Sequence, residues 1–278
     1  MENQSKPILI PTDFTVIAEY AVESAVKFAK VTNTSIILVH IVKKTSEILD
    51  ATAKVELEAD KFSKEYNVKV TGIVREGSIF STIGETVDEM DAGLVVMGTH
   101  GIKGMQKIMG SWSLKVVVTS SVPIIVVQDR PHRSGIERIA FPVDFKKENR
   151  EKIGWAYYVA RLFNAKVNIF RAEPAKDKKI EQGIRTNLVF TEKFLHSKNI
   201  PYDITVAKGE DSFAKESLDF AAEIDADLIL ITTTKGISIA DFVLGTSEEH
   251  IITNSAHIPV MCVNPRKAQI GSFSATGG

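Results

Sequence analysis

The chain has 278 residues, of which 44% are hydrophobic and 25% are charged, and its formal net charge is −1. This composition is typical of a soluble globular protein that is long enough to divide into two domains. A nearly neutral charge balance gives no general attraction to a nucleic-acid backbone or to anionic lipid. Nucleic acid and membranes are therefore not expected as partners.

The sequence also indicates a compartment. The N-terminal segment has no basic stretch followed by an apolar run of secretory length, and no apolar stretch reaches the length of a membrane span. The single cysteine, Cys262, excludes an intrachain disulfide, and its apolar neighbours favour a buried strand position. We expect a cytoplasmic protein.

In the first half of the chain, short apolar runs alternate with segments of helical periodicity. The predicted strands are 8–10, 35–42, 68–74, 94–97 and 123–127. The predicted helices carry apolar residues at helical spacing over 17–28, 45–66 and 79–90, and a further helix is predicted to end near residue 118. Strands that are apolar on both faces and separated by helices indicate a parallel sheet covered on both sides.

The second half repeats this order after a charged linker at 128–137. Its predicted strands are 139–143, 167–170, 204–206, 228–231 and 259–263, and its predicted helices lie at 153–163, about 176–198 and 213–224. The fold class is therefore α/β, with two domains at 1–130 and 136–267. Each domain is predicted to hold a five-stranded parallel-type sheet with helices on both faces. A tail at 268–278 is expected to be disordered.

Sequence repeats support the division into two domains. Residues 94–111 read LVVMGTHGIKGMQKIMGS and residues 228–246 read LILITTTKGISIADFVLGT. Asp13 precedes Asp144 by 131 residues, and Gly110 precedes Gly245 by 135. A period of this length indicates duplication of a whole domain, because solenoid and propeller repeats span only about 20–50 residues.

Several motifs together resemble the universal stress protein family. They are an Asp that closes the first strand, LVHIV in the second strand, MGTHG after the fourth strand, and a GS pair that opens the last helix before a Pro-led strand. The resemblance covers the chain apart from the tail and identifies it as a tandem two-domain member. It implies a Rossmann-like fold, a cytoplasmic location, and a family in which some members bind ATP and others do not.

The glycine segment of the first domain predicts a phosphate site. In open parallel sheets, ligands lie beyond the carboxyl ends of the strands, where Asp13 and Gly98 are expected. Gly98 and Gly101 would let the backbone approach phosphate oxygens, and Gly110 with Ser111 would open a helix whose N–H groups suit a phosphate. Asp13 could accept from ribose hydroxyls or the adenine edge, or serve only as a helix-cap or loop acid.

Similarity to the family adds further site residues. Ile41 and Met97, with Gly98, would line the base and the ribose. The cofactor implied is ATP, with Mg²⁺ as an accompanying ion. The family's ATP-binding pattern encloses nine residues between its second and third glycines, whereas Gly101 and Gly110 enclose eight.

The second domain keeps part of this pattern. Its candidate residues are Asp144, Gly236, Gly245 and Thr246, and Thr233 is predicted to occupy the place of Gly98. Nucleotide binding is thus predicted mainly for the first domain.

Three functions remain open on the sequence. The first is a non-enzymatic ATP-binding module for stress sensing, and the second is a stress protein that acts through protein partners and has vestigial pockets. The third is a slow ATPase. The histidines lack metal-ligand spacing, Ser111 is not in a nucleophile elbow, and His40 is interpreted as a structural residue at the end of a strand.

The fifth strand of each domain is an apolar edge. Residues 124–127 and 260–263 would be prone to aggregation if they were left open. In the family such edges pair across a dimer axis. The resemblance therefore implies an intrachain pseudo-dimer through the two fifth strands, and a homodimer of two chains is a further expectation.

Overall fold

The computed structural model describes residues 6–98, 116, 120–233, 251–252 and 254–264. The chain divides into two compact units, with the boundary between Pro131 and His132. All strand pairings described within each unit are parallel. The predicted α/β fold with five parallel strands in each half is confirmed. The tail predicted at 268–278 lies outside the described residues.

The first unit alternates strands and helices along the chain. Its strands are β1 (Ile8–Pro11), β2 (Ile36–Val42), β3 (Val70–Glu76), β4 (Leu94–Gly98) and β5 (Ile124–Val127), and its described helices are α1 (Val16–Thr32), α2 (Ile48–Tyr66) and α3 (Ile79–Glu89). The sheet order is β3-β2-β1-β4-β5. Because β1 lies at the centre, the chain runs first toward one edge and then toward the other. Right-handed crossovers then place α1 and α2 on one face and α3 on the opposite face.

The second unit has the same order of elements and strands. Its strands are β6 (Arg138–Val143), β7 (Lys166–Arg171), β8 (Tyr202–Val206), β9 (Leu228–Thr232) and β10 (Val260–Val263), and its described helices are α4 (Ile153–Phe163), α5 (Lys178–Ser197) and α6 (Phe213–Glu223). The sheet order is β8-β7-β6-β9-β10. A short 3-10 helix at Lys147–Arg150 precedes α4. Cys262 is buried in β10, as predicted.

The central strands of each sheet are buried on both faces, which explains their continuous apolar sequences. Leu9, Leu38 and Val95 in the first unit and Ile139 and Leu230 in the second have no exposed side-chain surface. Complete burial of one such side chain contributes about 1.5–3 kcal/mol. None of the described helices combines the length and the apolarity that a membrane crossing requires.

Helix α1 begins where the chain leaves β1, and its start is fixed by polar contacts. Thr15 is in the extended conformation, and its hydroxyl accepts a hydrogen bond from the Ala18 N–H at 3.4 Å. Glu19 in the first turn has the charge that the helix dipole favours. The helix ends at Thr32, and its C-cap Asn33 adopts the left-handed conformation with φ 51°. The Thr15 cap thus sets where the loop after β1 must turn.

The second helix of each unit packs differently relative to its edge strand. A Cβ placed on Gly72 of β3 would lie 2.7 Å from the carbonyl oxygen of Val55, so only glycine lets the α2 backbone lie on β3. The pairing register makes Ile204 of β8 the counterpart of Gly72, because each lies opposite the matching residue of the neighbouring strand, Leu38 or Ile169. Helix α5 has its main contacts with the 3-10 helix, β6 and α4 rather than with β8.

Candidate functional site

The centre of the first sheet contains the point where the strand order reverses. β1 pairs with β2 on one side and with β4 on the other, so the chain leaves the carboxyl ends of β1 and β4 in opposite directions. Ligands of open α/β sheets bind in the crevice that this reversal creates. Asp13 follows the end of β1, and Gly98 is the last residue of β4.

Asp13 is held in one orientation by the start of α1. Its Oδ1 atom accepts hydrogen bonds from the Thr15 hydroxyl at 2.6 Å and from the Thr15 N–H at 3.2 Å. Within the described residues, no donor contacts Oδ2 of Asp13. The structure thus gives Asp13 the local turn contacts of a loop acid and still leaves one carboxylate oxygen able to accept from a ligand hydroxyl. Thr15, not Asp13, is the N-cap of α1.

His40 lies inside β2 rather than at its end, so that prediction was wrong. The strand continues because Ile41 and Val42 pair with Arg75 and Glu76 of β3. The His40 Nδ1 atom lies 2.8 Å from the carbonyl oxygen of Thr12. The His40 side chain thus takes the carbonyl oxygen that would accept the next hydrogen bond of the β1–β2 ladder.

Ile41 is left with an unpaired edge as a result. The Thr12 N–H donates to the Val39 carbonyl, and the alternation of a parallel strand then directs the backbone of Ile41 toward the same side. β1 has already ended at Pro11, opposite Val39. In the described part of the chain, neither the N–H nor the C=O of Ile41 has a partner on that side. A donor and an acceptor therefore lie side by side next to Asp13.

The surroundings of Thr12 are acidic. Its hydroxyl donates to Glu58 Oε2 of α2 at 3.0 Å and accepts from the Phe14 N–H at 3.1 Å. Burial raises the pKa of Glu58, and the charges of Glu19 and Asp13 raise it further, whereas the Thr12 hydrogen bond and the charge of Lys61 lower it. Phosphates would be repelled by this acidic group, so the α2 side of Asp13 suits a base or a ribose.

A cleft of about 390 Å³ lies beside Ile41, within the range of small-molecule sites. Its lining includes Phe14, His40, Ser46 just before α2, and Asp50 and Lys54 in the first turns of α2. Phe14 has a left-handed backbone with φ 62°, and its ring centroid lies 4.5 Å from that of His40. The contact with His40 contributes to holding this uncommon conformation. Phe14 and the role of His40 were not predicted from the sequence.

The structure places the two candidate residues of β4 at the end of the strand. Met97 is buried and pairs with Val126, so its side chain belongs to the core. A Cβ on Gly98 would lie 2.6 Å from Ile17 Cγ2, so close packing of α1 on β4 already requires this glycine. The predicted contacts of Gly101, Gly110 and Ser111 lie outside the described residues.

In the second unit, the acid that corresponds to Asp13 is Asp144, and neighbouring groups form hydrogen bonds with it. Asp144 Oδ1 accepts from the Lys146 N–H at 2.8 Å and from the side-chain amide of Asn149. The side-chain amide of Asn187, from α5, donates to the carbonyl oxygens of Asp144 and Lys146 at 2.8 and 2.9 Å. Helix α5 therefore covers the loop that follows β6.

The backbone groups next to Asp144 also have hydrogen-bond partners within the second unit. The Ala172 N–H, which corresponds to that of Ile41, donates to the Val143 carbonyl at 2.9 Å. Arg171 stands where the first unit has His40, and its Nε donates to the Ala172 carbonyl at 2.8 Å. The ladder between β6 and β7 thus extends one residue further than that between β1 and β2. The free donor and acceptor of the first unit have no counterpart here.

One further prediction for the second unit, the counterpart of Gly98, is corrected by the strand register. Leu94 pairs with Ile8 and Leu228 pairs with Ile139, so the register makes Thr232, not Thr233, the counterpart of Gly98. The alignment of Gly101 with Gly236 missed this because the sequence has one more residue between Thr232 and Gly236 than between Gly98 and Gly101. Gly236, Gly245 and Thr246 lie outside the described residues.

A buried lysine lies under the closed loop of the second unit. Lys152 is 2% exposed, and its Nζ atom donates to the Pro142 carbonyl and lies 4.6 Å from the centre of the Phe141 ring. Burial lowers its pKa to about 7, the charge of Asp144 raises it, and the charge of Lys146 lowers it. Its position corresponds to that of Ala21 in the first unit, so this feature belongs to the second unit alone.

Comparison with known proteins agrees with this fold. The sequence model of the universal stress protein family matches residues 4–128. A universal stress protein of Methanocaldococcus jannaschii is 28% identical over 143 residues, which are 46% of this chain and 84% of that protein. Another, from Synechocystis sp., is 28% identical over 134 residues, which are 44% of this chain and 85% of that protein.

A solved structure extends the likeness of fold to both halves. A universal stress protein from Archaeoglobus fulgidus matches with a TM-score of 0.75 at 19% identity, over 94% of this chain and 97% of that one. The matches define a Rossmann-like α/β protein. Residues 4–128 belong to the universal stress protein family.

Proposed function

We propose that the first unit binds ATP at the carboxyl edge of its sheet and that the protein acts as a non-enzymatic, nucleotide-sensing stress protein. The observation that carries this proposal is the unpaired backbone N–H and C=O of Ile41 beside the oriented carboxylate of Asp13. An adenine edge presents an adjacent acceptor and donor, which complement this pair. Asp13 Oδ2 would then accept from the ribose.

The phosphates would extend away from Glu58, toward the segment that follows β4. Gly98, Gly101, Gly110 and Ser111 remain the proposed phosphate contacts, and Met97 the proposed neighbour of the ribose. Backbone N–H groups at a helix start suit an anion, although each such contribution is only about 0.3–1 kcal/mol. Micromolar affinity needs about 8 kcal/mol, so base and ribose contacts must provide most of it.

ATP would bring Mg²⁺ with it rather than find a separate metal site. In the part of the chain that the structure describes, no group of three or more His, Cys, Asp or Glu side chains could hold a metal ion. The rival proposal of slow ATP hydrolysis predicts phosphate release that Ser111→Ala abolishes. Binding without turnover predicts no release above background.

The contacts in the second unit favour a different role for it. Asp144, Asn149 and Asn187 bond to one another and to the loop backbone, and the Ala172 N–H is used within the sheet. We propose that this unit has a vestigial pocket and contributes to the protein through contacts with partners. Asp144, Gly236, Gly245 and Thr246 would then mark an inactive copy of the site.

The organisation of the whole chain belongs to the same proposal. We propose that 1–130 and 136–267 are duplicated universal stress protein domains, that their fifth strands pair within one chain, and that the protein is cytoplasmic. Cysteine pairs introduced across β5 and β10 would cross-link within one chain if the strands pair as proposed. Cross-links that join two chains at equal efficiency would contradict intrachain pairing.

The role of His40 provides a direct test of nucleotide binding. His40→Arg installs the residue of the second unit, releases the Thr12 carbonyl and lets the Ile41 N–H close the ladder. Loss of one hydrogen bond to the ligand is expected to weaken ATP binding about tenfold, or about 1.4 kcal/mol. Isothermal titration calorimetry with ATP measures the change.

His196→Arg is the matched control, because His196 is exposed at the end of α5 in the other unit. It should leave the affinity unchanged. If the wild-type protein and His40→Arg bound ATP with equal affinity, the Ile41 N–H would not be a contact of the ligand.

A further inference from the structure

Strand β8 is an exposed edge of the second sheet. Ile204 and Val206 are 38% and 47% exposed, and Asp203 and Thr205 between them are exposed as well. The matching strand of the first unit, β3, is mostly half-buried, and α2 packs on it at Gly72. The displacement of α5 toward the loop after β6 leaves two apolar side chains of β8 in solvent.

The free edge of β8 also presents unpaired backbone groups. The Val167 N–H donates to the Pro201 carbonyl and the Ala207 N–H donates to the Arg171 carbonyl, which fixes the residues that face β7. Alternation then directs the backbone groups of Tyr202, Ile204 and Val206 outward. Within the described residues these outward groups have no hydrogen-bond partner. An edge of this kind is a template for another strand.

We propose that β8 pairs antiparallel with β8 of a second copy of this chain, about a two-fold axis at Ile204. In this register Ile204 lies opposite itself and Tyr202 lies opposite Val206, so outward-facing residues meet outward-facing residues along the whole strand. Each such pair can exchange both backbone hydrogen bonds. The strand is therefore complementary to its own copy.

Charge and shape agree with this register. Asp203, the only charged residue of β8, lies opposite Thr205 of the copy and forms an ion pair with Lys166 of its own unit. No like charges face each other along the strand, and the apolar residues Tyr202, Ile204 and Val206 line one face of the joined sheets. The contact involves one short strand from each copy, so a weak and reversible dimer is expected. This pairing does not depend on nucleotide binding.

A disulfide at the axis tests the register. Hydrogen-bonded residues in antiparallel strands have Cα atoms about 5.5 Å apart, within the disulfide range. Ile204→Cys, in a Cys262→Ala background, should form a covalent dimer under mild oxidation. Val189→Cys is the control, because Val189 is similarly exposed, at 39%, but lies on α5. Absence of a dimer at position 204, or equal cross-linking at both positions, would overturn the proposal.

Sedimentation of uncross-linked protein gives an independent readout. Ile204→Lys places two like charges at the axis and should weaken self-association at least tenfold, whereas Val189→Lys should leave it unchanged. Identical effects of the two substitutions, or a wild-type protein that stays monomeric over the whole concentration range, would show that β8 is not the contact.

Discussion

Gly72→Ile is expected to destabilise the first unit by about 3 kcal/mol, the upper end of the usual cost of overpacking. The new Cβ would lie 2.7 Å from a backbone oxygen of α2, which cannot rotate away as a side chain could. Helix α2 must therefore shift, and Val55, Ala59 and Phe62, which are almost fully buried, lose packing. Urea unfolding measures the loss, and hydrogen exchange of α2 amides locates it.

A pair of smaller substitutions separates this contact from a general effect of replacing glycine. Gly72→Ala also adds the clashing Cβ and should cost about 2 kcal/mol. Gly84→Ala, in α3, meets nothing within 4 Å and should stabilise the protein by about 0.5–1 kcal/mol. If both alanines had the same effect, close packing of α2 on β3 would not be the reason for Gly72.

Lys152→Met is expected to stabilise the second unit by about 1–4 kcal/mol at pH 7, as replacement of buried charges by apolar groups of similar size often does. Lys152 is buried with one hydrogen-bond acceptor in the described structure, and methionine fills a similar volume. Fluorescence of the buried Trp155, in a Trp112→Phe background, follows unfolding of this unit. Lys193→Met, at an exposed position of α5, is the control and should change little.

The stabilisation by Lys152→Met should decrease as the pH rises above about 7. Burial lowers the folded pKa of Lys152 to about 7, from an ordinary value of 10.5. Between these values the unfolded chain binds more protons, so the unfolding free energy of the wild-type protein rises with pH, by at most about 1.4 kcal/mol per unit. Below pH 7 both states hold the proton and this contribution is flat. The methionine variant should lack the rise, and equal pH slopes would contradict the buried charge.

Most elements could be predicted from the sequence because the central strands of both sheets are buried on both faces. Strands with apolar residues on each face read as short continuous runs, and amphipathic helices separate them. Errors occurred where polar residues continue a strand. β3 runs on through Arg75 and Glu76, two residues beyond its predicted end, and these residues pair with Ile41 and Val42.

The site could be predicted only in outline. Asp13 and Ile41 follow from strand order and from family resemblance, because the carboxyl ends of neighbouring strands must lie together. The pairing state of Ile41 could not be predicted, since it depends on the His40 side chain reaching the Thr12 carbonyl. Periodicity does not encode a contact between residues 28 positions apart.

The difference between the two units could be predicted only in part. Both carry an acid after the first strand and a glycine segment after the fourth, and the glycine missing from the second segment favoured a site in the first domain without showing how the second unit differs. Their structures diverge at the edge strand, which has Gly72 in one unit and Ile204 in the other. In the second unit α5 lies on the loop after β6 instead, where Asn187 binds the Asp144 and Lys146 carbonyls.

Calorimetric titration of the full chain with ATP, with the number of sites as the readout, tests the central claim most directly. We predict one ATP per chain. Asp13→Asn should weaken binding about tenfold or more, through loss of a charged hydrogen bond. The matched Asp144→Asn should leave the affinity and the number of sites unchanged. Two equivalent sites, no binding, or equal effects of the two substitutions would contradict nucleotide recognition by the first unit alone.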